Sequence, residues 1–156
     1  MLGEFPIDTG TAVIEADPYG ANRYILKVNG VPSSHVDLDD PTYLDFEYMR
    51  WMEPIFTIGF PAGQFDGRAR KLRVLHLGGG GCSMARWVAA SYENARQVVV
   101  ELDAKLAELV RVNFEVPRPP RAGAAHLERC EPRCDHPRCL CRQHHPARAD
   151  HCLLRP

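Results

Sequence analysis

The chain has 156 residues, with 19 Lys and Arg against 20 Asp and Glu for a formal charge of -1. Its length allows one domain or a domain with an appendage, and 45% hydrophobic and 25% charged residues fit an ordinary globular composition. The near-zero charge gives no sign of a nucleic-acid or membrane partner, no apolar run approaches the ~18 residues of a span, and MLGEFPIDTG lacks a basic n-region.

The average conceals a break near Val116–Pro117. Residues 1–116 carry a net charge of -5 and residues 117–156 one of +4. The latter forty residues hold eight Arg, seven Pro, five Cys and five His, with no Val, Ile, Met, Phe, Tyr or Trp. Such a segment lacks the apolar surface to offset its ordering entropy, so disorder is expected there unless metal or disulfides fold it. With only Cys82 in the remainder, a disulfide scaffold is disfavoured and a reducing, cytoplasmic setting is expected.

In chain order, Thr11–Ala16, Tyr24–Val28 and Val31–Val36 read as strands, separated by the turn signals Asp17-Pro18-Tyr19-Gly20 and Asn29-Gly30. They predict an antiparallel hairpin unit over residues 1–38. Asp39-Asp40-Pro41-Thr42 predicts a helix start, ending near Glu53-Pro54, within a connector over 39–71. Leu72–Leu77 is a strand running into Gly78-Gly79-Gly80-Gly81, followed by a helix over Ser83–Tyr92. Gln97–Glu101 and Ala104–Phe114 supply a second strand and helix. This order opens a parallel nucleotide-binding sheet over residues 72–116, giving an α/β fold class: a β-hairpin unit followed by the first half of a Rossmann-like, methyltransferase-type sheet.

Four glycines after a strand let the chain turn sharply and a ligand approach the backbone. No Lys-Ser or Lys-Thr follows, which excludes a P-loop, and no clean G-x-G-x-x-G is present. Glu101 lies 23 residues beyond Gly78 at the end of the next strand, where a carboxylate accepts hydrogen bonds from both ribose hydroxyls. NAD(P), FAD and S-adenosyl ligands all satisfy that spacing, although the missing last glycine weakens a dinucleotide. Asp103 reads chiefly as a helix cap, and His76, Cys82 and Trp87 as packed residues.

Val74-Leu75-His76-Leu77-Gly78-Gly79-Gly80-Gly81 with Val98-Val99-Val100-Glu101-Leu102-Asp103 resembles the cofactor-binding start of the spermidine synthase (polyamine aminopropyltransferase) family. Leu26-Lys27-Val28-Asn29-Gly30-Val31-Pro32 and Asp39-Asp40-Pro41-Thr42-Tyr43 resemble its N-terminal hairpin domain and the joining segment. The resemblance implies that decarboxylated S-adenosylmethionine, or S-adenosylmethionine, is bound as substrate by Gly78, Gly79, Gly80, Gly81 and Glu101. It places Asp39 and Tyr43 near an amine substrate, and because members of the family usually form dimers it implies a homodimer.

The departures are plain. Leu44 stands at the family's histidine position, Asn29 replaces a common Asp, and Ser33 or Ser34 a common Gln. After Phe114 neither the Gly-Asp-Ala segment for adenine nor the acidic catalytic loop follows, so no catalytic residue is assigned. The chain reads as a divergent, inactive fragment, with a nonenzymatic nucleoside-binding module, a small-molecule methyltransferase-like protein and a zinc-dependent interaction protein as the alternatives. The tail has three readings: disorder, out-of-frame translation of a GC-rich gene, or a zinc module built on Cys130, Cys134, Cys139 and Cys141. Missing C-x2-C pairs leave no metal ligand assigned.

Overall fold

The structure, a computed structural model, describes residues 1–65, 71–116 and 127–129. The zinc, disorder and out-of-frame readings of Cys130 to Pro156 lie outside the described residues.

Four strands form an antiparallel meander, β1 (Gly3–Ile7), β2 (Gly10–Ala16), β3 (Arg23–Val28) and β4 (Val31–Asp37), in sequential order. The sequence pattern anticipates β2 to β4. It misses β1, where Gly3 and Pro6 interrupt the β-formers, yet Pro6 is tolerated on this edge strand. Asn29 and Gly30 both adopt positive φ, 51° and 80°, as a tight turn with the right strand twist requires.

The predicted helix start at Asp39–Thr42 is a turn instead. The Asp37 carboxylate accepts from the amides of Asp39 and Asp40, both at 2.9 Å, and that of Asp40 accepts from Thr42. These side chains capture backbone donors in local turns and offer the chain an alternative to a helix. Helix α1 (Glu47–Gly59) begins later and runs through Pro54. Pro54 is exposed, where a lost backbone bond is more easily solvated. A single turn, α2 (Ala62–Phe65), follows.

The second layer is β5 (Arg73–Leu77), α3 (Ser83–Ser91), β6 (Arg96–Glu101) and α4 (Ala104–Asn113), with β5 and β6 parallel. A short strand β7 (Leu127–Arg129) pairs parallel with β6 on its other side. It falls inside the segment expected to be disordered. The spatial order β7-β6-β5 is the 3-2-1 half of a doubly wound sheet. The fold is therefore mixed α/β, an antiparallel N-terminal sheet joined to the first half of a Rossmann-like sheet.

The two sheets share one core. Ile14, Leu26 and Val36 of the meander pack with Cys82, Ala85, Val99, Val110 and Phe114 of the parallel unit. A second cluster joins Met49 of α1 to Leu72, Trp87, Val88 and Tyr92, and confirms Trp87 as core. Among the described residues, no helix is long and apolar enough to cross a membrane.

Candidate nucleoside site

β5 delivers the chain to the glycine turn at its carboxyl end, and β6 delivers Glu101 to the same end one strand away. Gly78 donates to the Val100 carbonyl at 2.9 Å, so strand pairing continues into the first glycine. Gly78 and Gly80 adopt positive φ, 84° and 47°, which glycine takes without Cβ strain. A Cβ on Gly81 would lie 2.8 Å from both Ser34 Cβ and Val36 Cγ2, so this glycine is needed for close approach to β4.

The Glu101 carboxylate faces this turn. Its Oε2 accepts from the amides of Gly79 at 2.8 Å and Gly80 at 3.2 Å, and its Oε1 from the Asp103 amide at 3.1 Å. The ribose-binding candidate and two of the glycines predicted beside it, Gly79 and Gly80, are thus brought together. Gly81 is committed elsewhere: its amide donates to Ser34 Oγ at 2.7 Å. Ser83 Oγ donates to the His35 carbonyl, a second tie between the turn and β4.

A cavity of about 460 Å³ opens beside the turn, within the range of small-molecule sites. Its polar end is formed by Ser33, Ser34 and Gly78 to Gly80, and its other walls by Tyr48, Met52 and Phe56 of α1 with Val74 to Leu77 of β5. Among the described residues, those lining it include no carboxylate. His76, expected to be packed, is half-buried on this wall. Its Nε2 lies 2.8 Å from Gln97 Oε1, while Gln97 Nε2 donates to the Ala85 carbonyl at 3.0 Å. That second bond fixes the amide orientation, so His76 carries its proton on Nε2 and presents a bare Nδ1. Burial lowers the His76 pKa, against the opposing effect of the Gln97 bond.

Cys82 is buried at φ 62°, and burial, then the Glu101 charge, pushes its thiol pKa up to about 12. It is a packed neutral thiol at the start of α3. Asp103 is the N-cap of α4, accepting from Leu106 N at 2.8 Å, as its sequence position suggests.

Asp39 and Tyr43 lie apart from the cavity wall. Asp39 accepts from Asn22 Nδ2, and the Tyr43 hydroxyl donates to Asp45 at 3.2 Å. The Tyr43 ring stacks under the Arg23 guanidinium, 4.3 Å away, and Arg23 pairs with Asp37 at 2.6 Å. This cluster holds β3 and β4 to the segment that follows. The sequence offered Ser33 and Ser34 only through their alignment with a family Gln, and α1 gave no signal as a cavity wall. Among the described residues no group of three or more His, Cys, Asp or Glu is arranged to hold a metal.

The folded chain thus presents a parallel half-sheet with a glycine turn and a carboxylate at its switch end, the place where α/β sheets bind ligands. No family model matches the chain, and no curated protein does. Among solved structures, it is similar to a probable spermidine synthase from Corynebacterium glutamicum ATCC 13032, with 39% sequence identity and a TM-score of 0.69. The match covers 84% of this chain and 45% of that one, so this chain spans less than half the length of its structural neighbour.

Proposed function

We propose that the chain binds an S-adenosyl-type nucleoside between the glycine turn and Glu101, as a spermidine-synthase-like protein. The observation that carries this reading is the Glu101 carboxylate held 2.8 Å from the Gly79 amide, in a turn whose Gly78, Gly79 and Gly80 line the cavity. A carboxylate at the end of the second strand accepts from both ribose hydroxyls. On binding, Glu101 exchanges backbone donors for those hydroxyls, and the freed Gly79 and Gly80 amides face the ligand. The 39% identity to a probable spermidine synthase favours decarboxylated S-adenosylmethionine and a polyamine as the small molecules concerned.

Aminopropyl transfer needs a neutral amine aligned with the carbon attached to the sulfonium, near a group that takes the amine's proton. Among the described residues no carboxylate lines the cavity, and Asp39 and Tyr43 hold the β3–β4 junction. We therefore propose nucleoside binding without turnover by this chain alone. Homodimerisation belongs to the same proposal.

Calorimetric titration of the folded protein tests it with decarboxylated S-adenosylmethionine, S-adenosylmethionine and NAD. The expected result is binding of the S-adenosyl compounds, no binding of NAD, and at least ~10-fold weaker binding by Glu101→Gln, the loss of a charged hydrogen-bond acceptor. Absence of heat with all three, or equal affinity of the variant, rejects the site.

A further inference from the structure

Among the described residues lining the cavity there is no Asp, Glu, Lys or Arg. The titratable side chains there are Tyr48, Cys82 and His76. Burial raises the Tyr48 pKa and pushes that of Cys82 up to about 12, so both stay neutral at ordinary pH. His76 is the lining group whose charge changes between about pH 5 and 8.

Its surroundings hold it in one form. By strand alternation the ring lies on the same side of β5 as Val74, which packs against the cluster of Met84 and Trp87. Gln97 is buried and its amide nitrogen donates to the Ala85 carbonyl, so its oxygen accepts from His76 and the proton sits on Nε2. Among the described residues Nδ1 has no partner, and it is not sealed in. The buried side-chain nitrogen left unpartnered there is His35 Nδ1, in the meander. His76 Nδ1 is therefore accessible, and the cavity is the space its ring lines. The Glu101 charge acts on Cys82 but not on His76, where only burial and the Gln97 bond bear on protonation.

We propose that His76 Nδ1 is the acceptor for the primary ammonium of a cationic nucleoside ligand, and that the cavity holds this cation only while the imidazole is neutral. This rests on the nucleoside reading above and assigns recognition of the ligand's charged arm. A bare imidazole nitrogen accepts well, and a bond from an ammonium is charge-assisted. The hydroxyls at the polar end are engaged: Ser33 Oγ donates to the Val31 carbonyl, and Ser34 Oγ donates to the Ser33 carbonyl while accepting from Gly81. Once a proton takes Nδ1, the acceptor is lost. Two cations then share a wall with no carboxylate among its described residues, and affinity falls.

The test compares decarboxylated S-adenosylmethionine with methylthioadenosine, which keeps adenine and ribose but has neither ammonium nor sulfonium. Any titration of Glu101 acts on both alike, so the ratio of their affinities isolates His76. Calorimetry from about pH 8 to about pH 5 should show that ratio falling at least ~3-fold, the size given by a histidine titrating somewhat below its ordinary ~6.5. In His76→Gln the ratio should no longer depend on pH. A measurement on the parent protein alone keeps the test independent of how that variant folds: saturating decarboxylated S-adenosylmethionine should lower the pH at which the His76 ring titrates by NMR, as linkage requires. Parallel pH profiles for the two ligands, an unchanged profile in His76→Gln, or a ring titration indifferent to ligand overturns the proposal and leaves the nucleoside site standing. Failure of the parent protein to bind either ligand at any pH overturns the nucleoside reading and this assignment with it.

Discussion

The Asp103 carboxylate accepts from both the amide and the hydroxyl of Thr9, at 2.7 and 2.8 Å, across 94 residues of sequence. The same side chain caps α4 through Leu106. One carboxylate therefore starts a helix of the parallel unit and anchors the β1–β2 turn of the meander. Asp103→Ala removes the cap and leaves the Thr9 donors unpaired, so a loss of ~1–3 kcal/mol is expected. Urea unfolding of Asp103→Ala, Thr9→Val and the double variant checks this, with non-additive losses expected. Strict additivity would show that the two residues are not coupled.

Acid weakens these ties in a defined direction. Burial alone would raise the Asp103 pKa, but the Leu106 and Thr9 donors hold it below the usual aspartate range. In Asp37, burial is likewise outweighed, by the Asp40 and Asp39 amides and Arg23. A carboxyl with a depressed folded pKa contributes stability above its unfolded value and loses it as pH falls through the folded one. Urea midpoints are therefore expected to hold down to about pH 4 on account of these groups and to fall below it. The fall should be shallower in Asp103→Asn, and an unchanged slope there would remove Asp103 from the account.

The glycine turn separates steric from conformational cost. Gly78→Ala meets nothing within 4 Å but must hold a φ of 84°, for a penalty of ~1–2 kcal/mol. Gly81→Ala meets Ser34 and Val36 at 2.8 Å in a buried contact, so a loss of ~1–3 kcal/mol is expected from overpacking. Thermal unfolding gives both losses. Amide shifts reaching Ser34 and Val36 are expected for Gly81→Ala alone, and their absence would place the clash elsewhere.

Cys82 should be chemically silent. With its pKa pushed up to about 12 and its side chain buried, the thiolate fraction at neutral pH is negligible and reagent access requires opening of the structure. Its rate with a disulfide reagent is expected to track unfolding by urea. Rapid labelling of folded protein would contradict the buried geometry.

The Gln97 bridge predicts the protonation pattern of His76. Nitrogen-15 NMR at neutral pH should show Nε2–H with an unprotonated Nδ1, and Gln97→Leu should abolish that bias. Equal populations of both tautomers in the parent protein would show that the Gln97 amide is turned the other way.

Regular periodicity made most of the fold legible. The alternating strand segments and the apolar stripe of Leu106 and Val110 lie within two residues of the observed elements. The errors arose where side chains compete with the backbone or where edges relax the rules. Asp37 and Asp40 spend their carboxylates on turns before α1, Pro54 is accommodated on an exposed helix face, and Pro6 hides an edge strand. Glu101 was legible because its partners lie one αβ unit away. Ser34 and Thr9, which fix the turn and α4 from 47 and 94 residues away, have no local signature.

Those distant ties have a kinetic consequence. Neither the meander nor the parallel unit can complete its core before the other arrives, because Phe114 packs with Ile14 and Leu26 in one cluster. The chain must close a very long loop before its best contacts reward it, and such topologies fold in milliseconds to seconds rather than microseconds. During that search unpaired strand donors are open to neighbours, so refolding yield should drop steeply as protein concentration rises.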